Sequence, residues 1–218
     1  MALSPSAHVD TFARDNLPPP DQWPELLFEL PELHYPDRLN CATALLDDVI
    51  AERGAQRPAV MSPTESWSYG ELRDRANQVA RVLTEELDVV PGNRVLLRGP
   101  NNPWLVACWF GVLKAGAVVV TTMPLLRAGE LATICDMAQI ELALCDHRFT
   151  EDLVKADVPG LQVVTYGGGD SELDALAARK PVEFADVETA ADDVSLLAFT
   201  SGTTGKPKAT MHFHRDVL

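Results

Sequence analysis

Apolar residues along this chain recur first at helical and then at alternating helical and strand spacing. Leu45, Leu46, Val49 and Ile50 share one side of a helix that Asn40 caps and Gly54 stops. Ala59–Met61 and Trp67–Tyr69 read as a short hairpin around Ser62-Pro63-Thr64-Glu65. Ser68 and Glu71 stand at capping-box spacing, so each side chain can satisfy an amide left free in the first turn. The helix opened there puts Leu72, Ala76, Val79, Leu83 and Leu87 on one face.

Strands and helices then alternate. Arg94–Leu97 reads as a strand, and Pro103 opens a helix that ends near Gly116. Ala117–Thr121 is an apolar strand, followed by a helix over Gly129–Ala138. Glu141–Cys145, a helix near Phe149–Lys155, Leu161–Tyr166 and a helix over Ser171–Arg179 continue the pattern. Val194–Phe199 is an apolar run broken only by Ser195, the kind that arises when both faces of a strand are covered. Repeated strand–helix–strand order with short loops predicts an α/β fold, a mostly parallel sheet with helices on both faces.

Residues 1–39 do not join this pattern. Pro18, Pro19, Pro20, Pro24, Pro31 and Pro36 interleave there with Trp23, Leu26, Leu27, Phe28 and Tyr35. Proline removes amide donors while the large side chains favour burial, which predicts an extended arm lying on the domain surface. The expected division is therefore an arm over 1–39 and a domain over 40–218.

Composition narrows the function. The 218 residues are 46% hydrophobic and 23% charged, enough to bury a core. Lys plus Arg total 18 against 32 Asp plus Glu, a formal charge of −14. That balance argues against nucleic acid or an anionic membrane surface as partner, and requires any anionic ligand to have a local cradle. Cys41, Cys108, Cys135 and Cys145 form no CxxC pair, so buried reduced thiols are expected and no metal site. Met1–Asp10 lacks the pattern of a signal peptide, and Trp104–Leu113 is about half the length of a membrane span. A cytoplasmic location is expected.

The candidate chemistry lies in Thr200-Ser201-Gly202-Thr203-Thr204-Gly205-Lys206-Pro207-Lys208. Four hydroxyls, two glycines and two lysines follow directly on a buried strand. Glycine lets the backbone approach a ligand, hydroxyls can donate to phosphate oxygens, and lysine adds a mobile positive charge. Ligands of open parallel sheets bind beyond the carboxyl ends of the strands, where this string falls. The chemistry implied is a grip on a polyphosphate. A Walker A loop is excluded, because two residues rather than four separate Gly202 from Gly205 and Pro207 follows Lys206.

In order and spacing the string resembles the phosphate loop of the adenylate-forming family: aromatic, Thr/Ser, Ser, Gly, Thr/Ser, Thr, Gly, any residue, Pro, Lys, Gly. Phe199 to Lys208 fit every position, and Ala209 replaces the final glycine. Trp67-Ser68-Tyr69-Gly70-Glu71-Leu72 and Leu113-Lys114-Ala115-Gly116-Ala117, then Pro124 and Glu130-Leu131, resemble the family's earlier boxes. Those boxes read as a helix cap and a helix running into a strand, without chemistry. The resemblance extends from about residue 40 to Leu218.

The resemblance implies the large N-terminal domain of an ATP-dependent acid–thiol ligase. Thr200, Ser201, Gly202, Thr203, Thr204, Gly205, Lys206 and Lys208 would hold the phosphates of ATP, and His214, at the start of the next helix, would line the acyl pocket. Mg²⁺ and coenzyme A are the other expected participants. The family's ribose-binding Asp and C-terminal catalytic Lys lie beyond Leu218, so no catalytic residue is assigned, no metal ligand is named, and the chain alone is expected not to turn over. The C-terminal domain is absent from this stretch. Met211-His212-Phe213-His214-Arg215-Asp216 and the Pro18–Leu26 segment resemble bacterial benzoate and 2-aminobenzoate ligases; a fatty-acid ligase, a peptide-synthetase adenylation domain and a non-catalytic nucleotide-binding module are the alternatives. A sheet edge left open would let the chain form homo-oligomers. His8, His34 and His147 fall in arm or loop sequence and are expected to be exposed.

Overall fold

Strand residues in this chain divide their side chains between two apolar surfaces, and the helices sort themselves accordingly. The computed structural model describes residues 3–169, 171–200 and 207–218. Its helices are α1 (Phe12–Asp15), α2 (Asp48–Arg53), α3 (Tyr69–Glu85), α4 (Pro103–Lys114), α5 (Ala128–Ala138), α6 (Glu151–Ala156) and α7 (Glu172–Ala177). A small antiparallel pair, β1 (Pro58–Met61) and β2 (Ser66–Ser68), precedes the main sheet. That sheet comprises β3 (Arg94–Arg98), β4 (Val118–Thr122), β5 (Leu142–Asp146), β6 (Gln162–Tyr166), β7 (Val194–Thr200) and β8 (Lys208–Phe213).

The strand order is β6-β5-β3-β4-β7-β8, parallel throughout except for the antiparallel β7–β8 pair. Alternation along each strand feeds both cores. Val95, Leu97, Val119, Leu142 and Leu144 pack with α3, α4 and α7, whereas Leu96, Val118, Val120, Ala143 and Cys145 pack with α5 and α6. Crossovers that move toward β8 therefore carry their helices on one face, and those that move toward β6 carry them on the other. A constant crossover hand requires this sorting.

Local signals fix the helix ends as the sequence implies. Ser68 and Glu71 form the capping box of α3, and the Asn102 side chain accepts from the Leu105 amide at the start of α4. α3 and α4 cross closely at Gly111, where a Cβ would stand 2.6 Å from Val79 Cγ1. Lys114 ends α4 fully buried, bonded to Asp47 and, at 3.0 Å, to Asp186. The Leu-Lys-Ala-Gly box thus serves as a structural lock.

The arm is pinned to the domain by two acidic residues just before β7. Asp192 accepts from the Ser4 amide; Asp193 accepts from the Ser6 hydroxyl, the Ala7 amide and Arg14. Leu3, Ala13, Leu17 and Trp23 pack against the α5–α6 side of the sheet. His8 is consequently buried at 7% exposure, contrary to the expectation from its arm position, whereas His34 and His147 are exposed. β8 is the other departure: the residues after Pro207 pair back along β7 before a short 3-10 turn over His214–Val217.

Candidate functional site

The strand order places a crevice where the chain changes direction. From β3 the chain passes through α4 to β4 on one side; from β4 it passes through α5 to β5 on the other side of β3. The loops leaving β3 and β4 therefore depart toward opposite faces, and the gap between them is the topological switch point at which open α/β sheets bind ligands. A cavity of about 740 Å³ occupies that gap. Gly99 and Asn101 after β3, Thr121–Pro124 at the end of β4, Thr133 and Ile134 on α5, and Phe199, Thr200 and Pro207 line it.

One buried cation shapes the rim. Arg98 ends β3 at 1% exposure, and its guanidinium donates to the carbonyls of Met123, Pro124 and Leu126 after β4 and of Phe149 after β5, at 3.0–3.1 Å. The Tyr166 hydroxyl donates to the Arg98 carbonyl at 3.2 Å. A Cβ on Gly99 would meet that hydroxyl at 2.2 Å, so only glycine fits between β3 and Tyr166. Asp146, fully buried at the end of β5, accepts from Asn102 at 2.9 Å and from Arg148 at 2.8 Å. Burial alone would raise the Asp146 carboxyl, but the Arg148 side chain and amide hold it below its usual value. Neither Arg98 nor Asp146 stands out in sequence; an arginine closing the apolar run Val95–Leu97 is the one signal that could have found the first.

The predicted phosphate-binding residues divide. Thr200 and Lys208 face one another across the β7–β8 ladder, both exposed, at the carboxyl end of β7. Thr200 and Pro207 border the cavity. Ser201, Gly202, Thr203, Thr204, Gly205 and Lys206 lie outside the described residues.

His214 is not brought to this site. It follows β8 at the Val194 end of the ladder, six residues and about 20 Å down the strand from Thr200 at ~3.3 Å per residue. The ring is fully buried; its Nδ1 accepts from the Cys41 amide at 3.1 Å. Burial, reinforced by His8, drives its pKa down to about 3, so it stays neutral. The antiparallel return of β8 carries this residue to the opposite end of the sheet from the cavity.

The four cysteines are free and buried. Burial pushes the Cys41 and Cys145 thiols up to about 12 and Cys135 to about 11, which suppresses the thiolate. Among the described residues no His, Cys, Asp or Glu side chains group by three as a metal site would need, and no helix is long and apolar enough to cross a membrane.

A doubly wound α/β sheet with a cavity at its switch point, bordered by Thr200 and Pro207, has the architecture on which many nucleotide-binding domains are built. Residues 47–218 match the AMP-binding enzyme family, and the chain belongs to it. It is 30% identical over 188 residues to the 3-hydroxybenzoate–CoA ligase of Aromatoleum sp. strain CIB, covering 83% of this chain and 35% of that one. It is 29% identical over 195 residues to the benzoate–CoA ligase of Thauera aromatica, covering 86% and 36% respectively. The crystal structure of the anthranilate CoA ligase AuaEII in complex with anthranoyl-AMP superposes with a TM-score of 0.77 at 25% identity, over 84% of this chain and 36% of that one. The chain thus spans little more than a third of the length of these relatives.

Proposed function

We propose that this chain supplies the phosphate-gripping part of an ATP-dependent carboxylate–CoA ligase that acts on an aromatic acid of the benzoate or 2-aminobenzoate type. The observation that carries the reading is the switch-point cavity bordered by Phe199, Thr200 and Pro207, the two ends of the hydroxyl-rich string. The aromatic preference rests on the likeness to hydroxybenzoate, benzoate and anthranilate ligases.

In the first step a carboxylate oxygen attacks the α-phosphorus of ATP, the bond to the β-phosphate breaks, and pyrophosphate leaves with its electron pair. The acyl-adenylate formed then loses AMP as the thiol sulfur of coenzyme A attacks the carbonyl and gives up its proton. Thr200, Ser201, Gly202, Thr203, Thr204 and Gly205 present hydroxyl and amide donors to the β,γ-phosphates as negative charge builds there. Lys208, across the ladder from Thr200, adds positive charge, and Lys206 adds a second. Mg²⁺ enters with the nucleotide. His214 has no part in binding the acid.

The test is ATP–pyrophosphate exchange by the full-length protein with benzoate, 3-hydroxybenzoate, 2-aminobenzoate, medium-chain fatty acids and amino acids. Exchange driven by the aromatic acids supports the reading. Exchange driven by fatty acids or amino acids alone keeps the adenylation chemistry and discards the aromatic preference; no exchange with any acid discards both.

A further inference from the structure

We infer that Arg98 is a positioning residue that sets the shape of the cavity and, through the loop it holds, the affinity for the substrate that occupies it. This rests on the ligase reading above. A guanidinium has five N–H donors in a fixed plane. Four of those contacts are made here, to the carbonyls of Met123, Pro124, Leu126 and Phe149. Three of the four acceptors belong to the loop between β4 and α5, and Met123, Pro124 and Leu126 all line the cavity.

Arg98 is the main tie on the middle of that loop, whose end is held by the Arg127 amide on Glu130. Met123 is 63% and Leu125 is 79% exposed, and only Leu126, at the end of the loop, packs against the α5–α6 core. Its backbone contributes a single turn bond, Leu126 N–H to the Met123 carbonyl at 3.1 Å. Arg98, by contrast, is fixed on the end of a strand paired on both sides and carries no contact to the cavity itself. The order of this wall is thereby imposed largely from the sheet, as a precise binding site requires. Lysine cannot replace it, because one ammonium cannot reach carbonyls spread over two loops.

The experiment compares wild type with Arg98→Lys and Pro124→Gly in the full-length ligase; the second loosens the same loop while leaving the Arg98 side chain in place. Hydrogen exchange at the amides of Met123, Leu125 and Leu126 is read alongside steady-state kinetics for each substrate. Both variants are expected to exchange at least tenfold faster at those amides, with β4 and β5 unchanged. The KM for at least one of the three substrates, ATP, the carboxylate or the thiol, is expected to rise at least fivefold in both variants. Unchanged KM values in variants whose loop exchanges faster overturn the inference, as does unchanged exchange in Arg98→Lys. Should Arg98→Lys not fold, Pro124→Gly decides the KM outcome alone. A wild type without carboxylate-dependent ATP–pyrophosphate exchange overturns the ligase reading and this inference together, a result distinct from either of the others.

Discussion

At the scale of single residues, burial decides which ionisable groups act and which only hold. His8 and His214 are kept neutral by burial, against the pull of Asp193. A histidine neutral in the folded state and protonated in the unfolded one contributes stability that is complete above the unfolded pKa of 6.5 and drains away as pH falls below it. For His214 alone, urea unfolding is expected to show a loss of about 1 kcal/mol between about pH 7.5 and about pH 5.5. The slope should flatten in His214→Gln, and an unchanged slope contradicts the buried neutral state. In the full-length ligase the same variant should leave the KM for the carboxylate unaltered, since His214 lies at the far end of β8 from the cavity. The string proposed to bind phosphate is expected to behave oppositely. Thr204→Val should lower kcat by on the order of 10²–10³, the usual cost of one lost oriented donor, with little change in melting temperature. The family was legible from the order and spacing of this string. The distance of His214 from the cavity was not legible, because its sequence neighbourhood carries no sign of the strand that displaces it.

At the scale of elements, caps and periodicity were readable because their causes are local. Ser68 and Glu71 make the box that their spacing implies, and Leu72, Ala76, Val79 and Leu83 all turn inward on α3. β8 was not readable, since Thr210 and His212 alternate with half-buried neighbours and only pairing with β7 makes the segment a strand. The α3–α4 crossing illustrates a contact that no window of sequence reveals. Gly111→Ala would press a methyl to within 2.6 Å of Val79 and 3.0 Å of the Ala76 carbonyl, so one helix must shift. Overpacking of that kind costs about 1–3 kcal/mol, measurable as a lowered urea midpoint; an unchanged midpoint would mean the helices separate freely. Lys114→Met should cost on the order of 3 kcal/mol, because it leaves the Asp47 and Asp186 carboxylates facing each other without their cation.

At the scale of the molecule, the doubly wound sheet follows from the alternation of elements, while the strand order that creates the switch point does not. Repeated strand–helix–strand units prescribe parallel pairing and helices on both faces. They do not say that β5 will cross to the far side of β3, the move that opens the cavity. Arg98 and Asp146 became visible only once that order had gathered the ends of β3, β4 and β5, and the loops after β4 and β5, around two buried charges. The arm is likewise a tertiary feature, because Asp192 and Asp193 meet it only through the folded chain. The most direct measurement is the identity of the nucleotide released when the full-length protein is given ATP, Mg²⁺, coenzyme A and 3-hydroxybenzoate or benzoate. AMP, with an equal amount of aryl thioester, is the result expected of adenylate chemistry at this cavity. ADP and phosphate, or no acid-dependent turnover at all, would contradict it.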